Sequence, residues 1–95
     1  MTHTRILYTG QVQGVGFRWT CERLARDFAV AGYVQNQGDG SVLLECEGDV
    51  DSVAAFLAAI DDAMGANIKG RDATQRAATG GFGNPTTPGC FKIKR

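Results

Sequence analysis

An α+β sandwich, one antiparallel sheet carrying two helices on a single face, is the fold class this 95-residue sequence predicts. Three observations lead there. Apolar residues recur with helical spacing in two separate stretches, Phe17 to Phe28 and Val53 to Met64. Runs rich in β-branched and aromatic residues precede each of these stretches, and a third short run closes the chain. Midway lies Gly38-Asp39-Gly40, a strong turn signal between two of the strand-like runs.

The elements follow in order. Arg5 to Gln13 (RILYTGQVQ) reads as a strand; Ile6, Tyr8 and Val12 fall on one side and Leu7 on the other, so the pattern alone leaves the buried face open. Phe17, Cys21, Leu24 and Phe28 then make one stripe of a helix beginning near Arg18, with Gly32 as the candidate C-cap. Tyr33 to Gln37 and Ser41 to Glu47 form a hairpin in which Val42, Leu44 and Cys46 face one way and Glu45 and Glu47 the other. Asp49 to Ser52 offers N-cap side chains for a second helix, whose face is Val53, Phe56, Leu57, Ile60 and Met64 and whose end is Gly65. Ala66 to about Gln75 holds a single large apolar residue, Ile68, and reads as an edge strand. Thr79 to Cys90 is turn and loop by composition, and Phe91 to Arg95 alternates apolar and basic residues as a short terminal strand.

The order β-α-β-β-α-β with a short fifth strand at the C-terminus is the split-βαβ, ferredoxin-like plan, in which both helical stripes enter one core. Many unrelated activities use this plan, so it implies no function.

Composition narrows the classes. Ninety-five residues make a single domain, 1–95, and 43% apolar content supplies a core without staples. Ten basic against ten acidic residues argue against a nucleic-acid partner, which ordinarily meets a basic excess. The absence of any apolar run near 20 residues argues against a membrane span, and Met1 to Arg5 lacks a signal-peptide core. Cys21, Cys46 and Cys90 are far apart and odd in number, as expected of reduced thiols in a cytoplasmic protein. With His3 the only histidine, near a terminus expected to fray, the sequence offers no zinc set and no histidine catalyst.

Chemistry then concentrates in Gly14-Val15-Gly16-Phe17-Arg18, between the first strand and the first helix. Two glycines permit a tight turn whose N–H groups converge as an anion nest, and the helix start adds unpaired donors and partial positive charge. Arg18 can bring its fork to the same anion. The alternative is a tight glycine turn beside a solvated arginine. The segment lacks the last glycine of a dinucleotide fingerprint, and the sequence contains no G-K-[ST]. Asn36, at the end of the strand before the hairpin, is the second candidate, because asparagine is disfavoured in strands. Central strands in this plan bring it towards the first loop; its alternative is an amide bonded to its own turn.

Tyr8 to Arg18 (YTGQVQGVGFR) resembles the first signature of the acylphosphatase family, with its G-x-V-Q-G-V-x-F-R core. Gly32-Tyr33-Val34-Gln35-Asn36, with Gly40, Val42 and Gly48 following, resembles the second. The likeness covers residues 5–64 and extends loosely to Phe91-Lys92-Ile93. It implies the same ferredoxin-like sandwich and a small cytoplasmic hydrolase that cleaves acyl phosphates to carboxylate and inorganic phosphate, with no cofactor or metal. By position it makes Arg18 the phosphate-binding arginine and Asn36 the residue that orients the attacking water. Gln13, Gly14, Val15, Gly16 and Phe17 would supply phosphate-binding amides beside Arg18. The partner it implies is a small-molecule acyl phosphate, and a neutral surface makes a monomer the default. The competing reading is a non-catalytic acylphosphatase-like domain that binds phosphate or carbamoyl phosphate; no zinc-finger cysteines follow in this sequence, which favours the free enzyme. An RNA-recognition domain would need aromatic residues on its central strands in a run this sequence lacks. Regulatory small-molecule binding on the same fold is a third possibility. Trp19, Tyr33 and Phe17 are the candidate walls of an acyl pocket.

Overall fold

The computed structural model describes residues 1–86 and 89–94. Its elements run β1 (Thr2–Gly10), α1 (Phe17–Ala25), β2 (Val30–Asn36), β3 (Val42–Gly48), α2 (Val50–Met64), a 3-10 turn (Gly65–Asn67), β4 (Ile68–Ala77) and β5 (Phe91–Lys94). The five strands form one sheet in the order β4-β1-β3-β2-β5. All neighbours are antiparallel except β5, which runs parallel to β2. The ferredoxin-like plan expected from periodicity is therefore the observed one.

Alternation decides which face is buried. Thr4, Ile6 and Tyr8 of β1 point toward the helices, as do Val30 and Val34 of β2 and Val42, Leu44 and Cys46 of β3. The helices return Phe17, Cys21 and Ala25 from α1 and Val53, Phe56 and Ile60 from α2. Phe56 lies at the centre, its ring centroid 5.1 Å from Phe91 and 6.0 Å from Phe28. Full burial of a side chain of this kind contributes about 1.5–3 kcal/mol.

Several boundaries differ from the sequence expectation, each for a local reason. The first strand ends at Gly10, short of Gln13, because a register irregularity against β4 at Thr9/Gly10 turns the chain out of the sheet, and Gln11 N–H bonds instead to the Asn67 carbonyl at 2.9 Å. It also begins at Thr2, so the terminus is not frayed: His3 is only 3% exposed. The first helix ends at Ala25, and Phe28 packs on the core from the turn beyond it. Gly32 is not that helix's C-cap. It lies inside β2 with φ +150°, where a Cβ would sit 1.9 Å from the Glu45 carbonyl oxygen, so the strands approach too closely for any side chain. The edge strand in the polar stretch is β4, with Ile68 alone buried. Of the two loose ends of the sequence reading, Thr87 and Pro88 in the expected loop and Arg95 in the last strand lie outside the described residues.

Candidate anion-binding site

The sheet delivers the site residues to one end. Tyr8 pairs with Val42 and Asn36 pairs with Val42, so the three side chains form a row on the helix-facing side where β1 and β2 both finish. At about 4.8 Å between strands, Asn36 lies roughly 10 Å from Tyr8. The first loop reaches the neighbourhood of Asn36 as expected, although β1 and β2 are not adjacent: β3 lies between them, because this plan inserts the third strand there. The loop after β1 spans the gap. Gln13 Nε2 donates to the Gln37 carbonyl at 2.7 Å and to the Ser41 carbonyl at 2.8 Å.

Local backbone chemistry shapes the loop itself. Gly14 and Gly16 have φ of 75° and 80°, a region that costs an L side chain about 1–2 kcal/mol. A Cβ would meet nothing within 4 Å at either position, so the requirement is conformational and the space beside the loop is open. Val15 between them has negative φ, and such alternation turns successive N–H groups toward a common point. Gly16 is the N-cap of α1 and supplies no side-chain bond, and the first turn holds no acidic residue. The first helical bond runs from Thr20 N–H to the Gly16 carbonyl, which leaves the N–H groups of Phe17, Arg18 and Trp19 without helical acceptors.

Arg18 sits half-buried in that first turn. Among the described residues the ion pairs are His3 with Glu45 and Glu47 and Arg71 with Asp61, so the Arg18 guanidinium is uncommitted. Asn36 presents a complementary vacancy of partners: its Oδ1 is buried and accepts no hydrogen bond from the described residues. Such an unsatisfied atom costs about 1–3 kcal/mol unless a donor reaches it. The alternative of an Asn36 oxygen satisfied by its own turn is not observed; the turn is held by Asp39 Oδ1, which accepts from the Ser41 N–H and hydroxyl.

The proposed acyl walls divide. Phe17 is buried with its ring 5.1 Å from Tyr8, so only its backbone faces the loop. Tyr33 lies on the opposite side of the sheet, donating to Glu45. Both are therefore corrected: strand alternation and the helical stripe point them away. Trp19 remains at the surface, 60% exposed beneath the Arg23 guanidinium, and Val15 joins it at 43%. Val15 was legible as an exposed apolar residue between two glycines, where a turn has no core to enter.

A second polar cluster, which sequence reasoning missed, occupies the far face of the sheet. His3 Nδ1 lies 2.7 Å from Glu47 Oε2, and Nε2 lies 2.8 Å from Glu45 Oε1. Glu47, 1% exposed, also accepts from the Thr79 N–H and hydroxyl and from the Gly80 N–H. Phe82 covers His3 at 5.3 Å and meets Tyr33 edge-on at 5.8 Å. Burial raises the Glu47 pKa, but the bonds from Thr79, His3 and Gly80 outweigh it and hold the carboxyl down at about 2. Period-two alternation from Ile6 back to His3, against Glu45 and Glu47, was the available signal.

Comparison with known proteins agrees with this architecture. The acylphosphatase family model matches residues 4–84. The acylphosphatase of Oceanobacillus iheyensis is 47% identical over 57 residues, 60% of this chain and 63% of that protein. The acylphosphatase of Methanospirillum hungatei is 35% identical over 72 residues, 76% of this chain and 79% of its own. In the first of these the match thus spans less than two thirds of the relative's length. Among solved structures, the acylphosphatase from Bacillus subtilis superposes over the full length of both chains with a TM-score of 0.83 at 27% identity. T. kodakarensis HypF superposes on all of this chain with 12% of its own, at a TM-score of 0.77 and 27% identity. A family model spanning most of the sequence, and a fold shared from end to end with a solved member, leave one assignment: the chain belongs to the acylphosphatase family.

Proposed function

We propose that this chain is a cofactor-independent acylphosphatase, a hydrolase acting on the carboxylic–phosphoric anhydride of small acyl phosphates. The observation that carries the reading is the pairing of opposites at one sheet end. Among the described residues, a helix start without a side-chain cap and an uncommitted Arg18 lack an anion, while the buried Asn36 Oδ1 lacks a donor. A phosphoryl group supplies the first and a water molecule the second.

The chemistry asks for little more. The leaving carboxylate has a conjugate acid of pKa about 4, so no general acid is needed to release it. Phosphoryl transfer depends on positioning and on stabilising charge across the three equatorial oxygens. The Arg18 fork and the N–H groups of the Gln13-to-Arg18 loop provide that stabilisation. Asn36 Oδ1 accepts a hydrogen bond from the attacking water, whose oxygen forms the new bond to phosphorus as the bond to the acyl oxygen breaks. The neutral amide is too weak a base to take the proton, which ends on a phosphate oxygen. Three free cysteines, two of them buried, accord with a cytoplasmic enzyme, and the zero net charge accords with a monomer.

Hydrolysis of a synthetic aryl acyl phosphate, with and without excess inorganic phosphate, tests this directly. Wild type should turn over and be inhibited by phosphate, and Asn36→Ala should lose about 10²-fold in kcat while its KM changes little. A folded wild-type protein that binds phosphate without turnover would replace the enzyme with the non-catalytic binding domain.

A further inference from the structure

The loop that carries the nest and the strand that carries Asn36 are not neighbours in the sheet, so something must fix their separation. Gln13 is placed to do so. Its Nε2 donates to the carbonyls of Gln37 and Ser41, the residues immediately beyond the Asn36–Val42 pair on the two strands of the hairpin. Those carbonyls are already bound to one another's turn: Gln37 N–H donates to Ser41 O at 2.8 Å, and Gly40 N–H donates to Gln37 O at 3.3 Å. The hairpin neck is therefore closed without Gln13. What the Gln13 amide adds is a two-point tie from the loop to the residues next to Asn36, using both of its N–H donors.

We infer that Gln13 is a positioning residue, whose side-chain amide sets the anion loop at a fixed distance from Asn36 and so holds a bound water in line with the phosphoryl group. This rests on the hydrolase reading above and assigns the Gln13 side chain a task distinct from phosphate binding. Charge complementarity to phosphate comes from Arg18 and the backbone N–H groups of the loop, whereas the Gln13 side-chain amide is committed to the hairpin carbonyls. Its contribution acts only when both halves of the site are at work, through orientation, and small misplacements of reacting groups are costly in rate.

The test combines Gln13→Met, which keeps length and removes both donors, with Asn36→Ala. Gln13→Met should lower kcat for the aryl acyl phosphate about tenfold while the inhibition constant of inorganic phosphate stays within about twofold. Made in the Asn36→Ala background, the same substitution should change kcat by less than about twofold, because there is no longer a held water to misplace. Equal losses in both backgrounds, or phosphate affinity falling in step with kcat, would overturn the inference. Gln13→Glu preserves the shape if the methionine variant fails to fold. Its carboxylate donates nothing, but its protonated form regains one donor, so its kcat relative to wild type should rise as pH falls through the carboxyl range. A wild type that turns over beside a Gln13→Glu variant with an unchanged pH profile refutes the positioning role alone; a wild type without turnover refutes the hydrolase reading.

Discussion

The two faces of the sheet carry polar clusters built on opposite terms. On the far face every described group of the His3–Glu45–Glu47 cluster has a partner: His3 bonds two carboxylates, Tyr33 donates to Glu45, and Thr79 and Gly80 complete Glu47. At the helix-facing end the reverse holds: among the described residues, a helix start has no side-chain cap, Arg18 has no counter-charge and a buried oxygen has no donor. A saturated network stabilises the fold and has no capacity left for a ligand; an incomplete one costs stability and is completed by whatever binds. Polarity alone therefore does not mark a candidate site; unsatisfied groups gathered at one end of the sheet are the sharper signal.

The contrast can be broken most forcefully at Arg18. Arg18→Ala should reduce kcat/KM for an aryl acyl phosphate about 10³-fold and weaken inhibition by phosphate, while the thermal midpoint stays near that of wild type. Retained substrate affinity in that variant would remove Arg18 from the anion site. The same operation on the other face should move the opposite quantity. Glu47→Gln breaks a buried pair and should cost about 3 kcal/mol of stability by denaturant unfolding, with turnover per folded molecule unchanged. Its pH dependence has a definite sign. The Glu47 pKa is held below its unfolded value, so its contribution is present above about pH 5 and is lost as pH falls toward about 2. The acid limb of the wild-type stability profile should therefore flatten in Glu47→Gln. An identical acid limb would show that the cluster contributes no linkage. The smallest effect belongs to the loop: Gly16→Ala should destabilise by about 1 kcal/mol, since φ of 80° strains an alanine that otherwise meets open space. A stabilised Gly16→Ala would mean the loop relaxes to an ordinary conformation.

The same contrast explains what was legible in the sequence. Helical stripes and the Asp-Gly turn are local signals, and Phe17, Cys21, Val53, Phe56 and Ile60 enter the core as their spacing indicates. Arg18 and Asn36 stand out as candidates by motif, and the two glycines of the loop were legible by their conformational freedom. Gly32 was misread because nothing near it in sequence reveals that Glu45 presses on it from the next strand. His3 was misread for a similar reason: its partners stand 42 and 44 residues away. The Gln13 tie, 24 and 28 residues long, belongs with them. Spacing reports which face a residue takes, and leaves open which distant group it meets there.

The position of β1 has a consequence for how the chain reaches this state. Of the strands in this sheet β1 is made first, yet it is flanked by β3 and β4, and Thr2 is paired with both Gly48 and Ala77. Neither edge of β1 can be covered until residues far downstream have emerged, and the hairpin of β2 and β3 is the one pairing between strands adjacent in sequence. The entropy of closing those long loops is spent before the contacts that repay it exist, which places assembly among the slower mixed α/β domains and leaves an unpaired first strand exposed during synthesis.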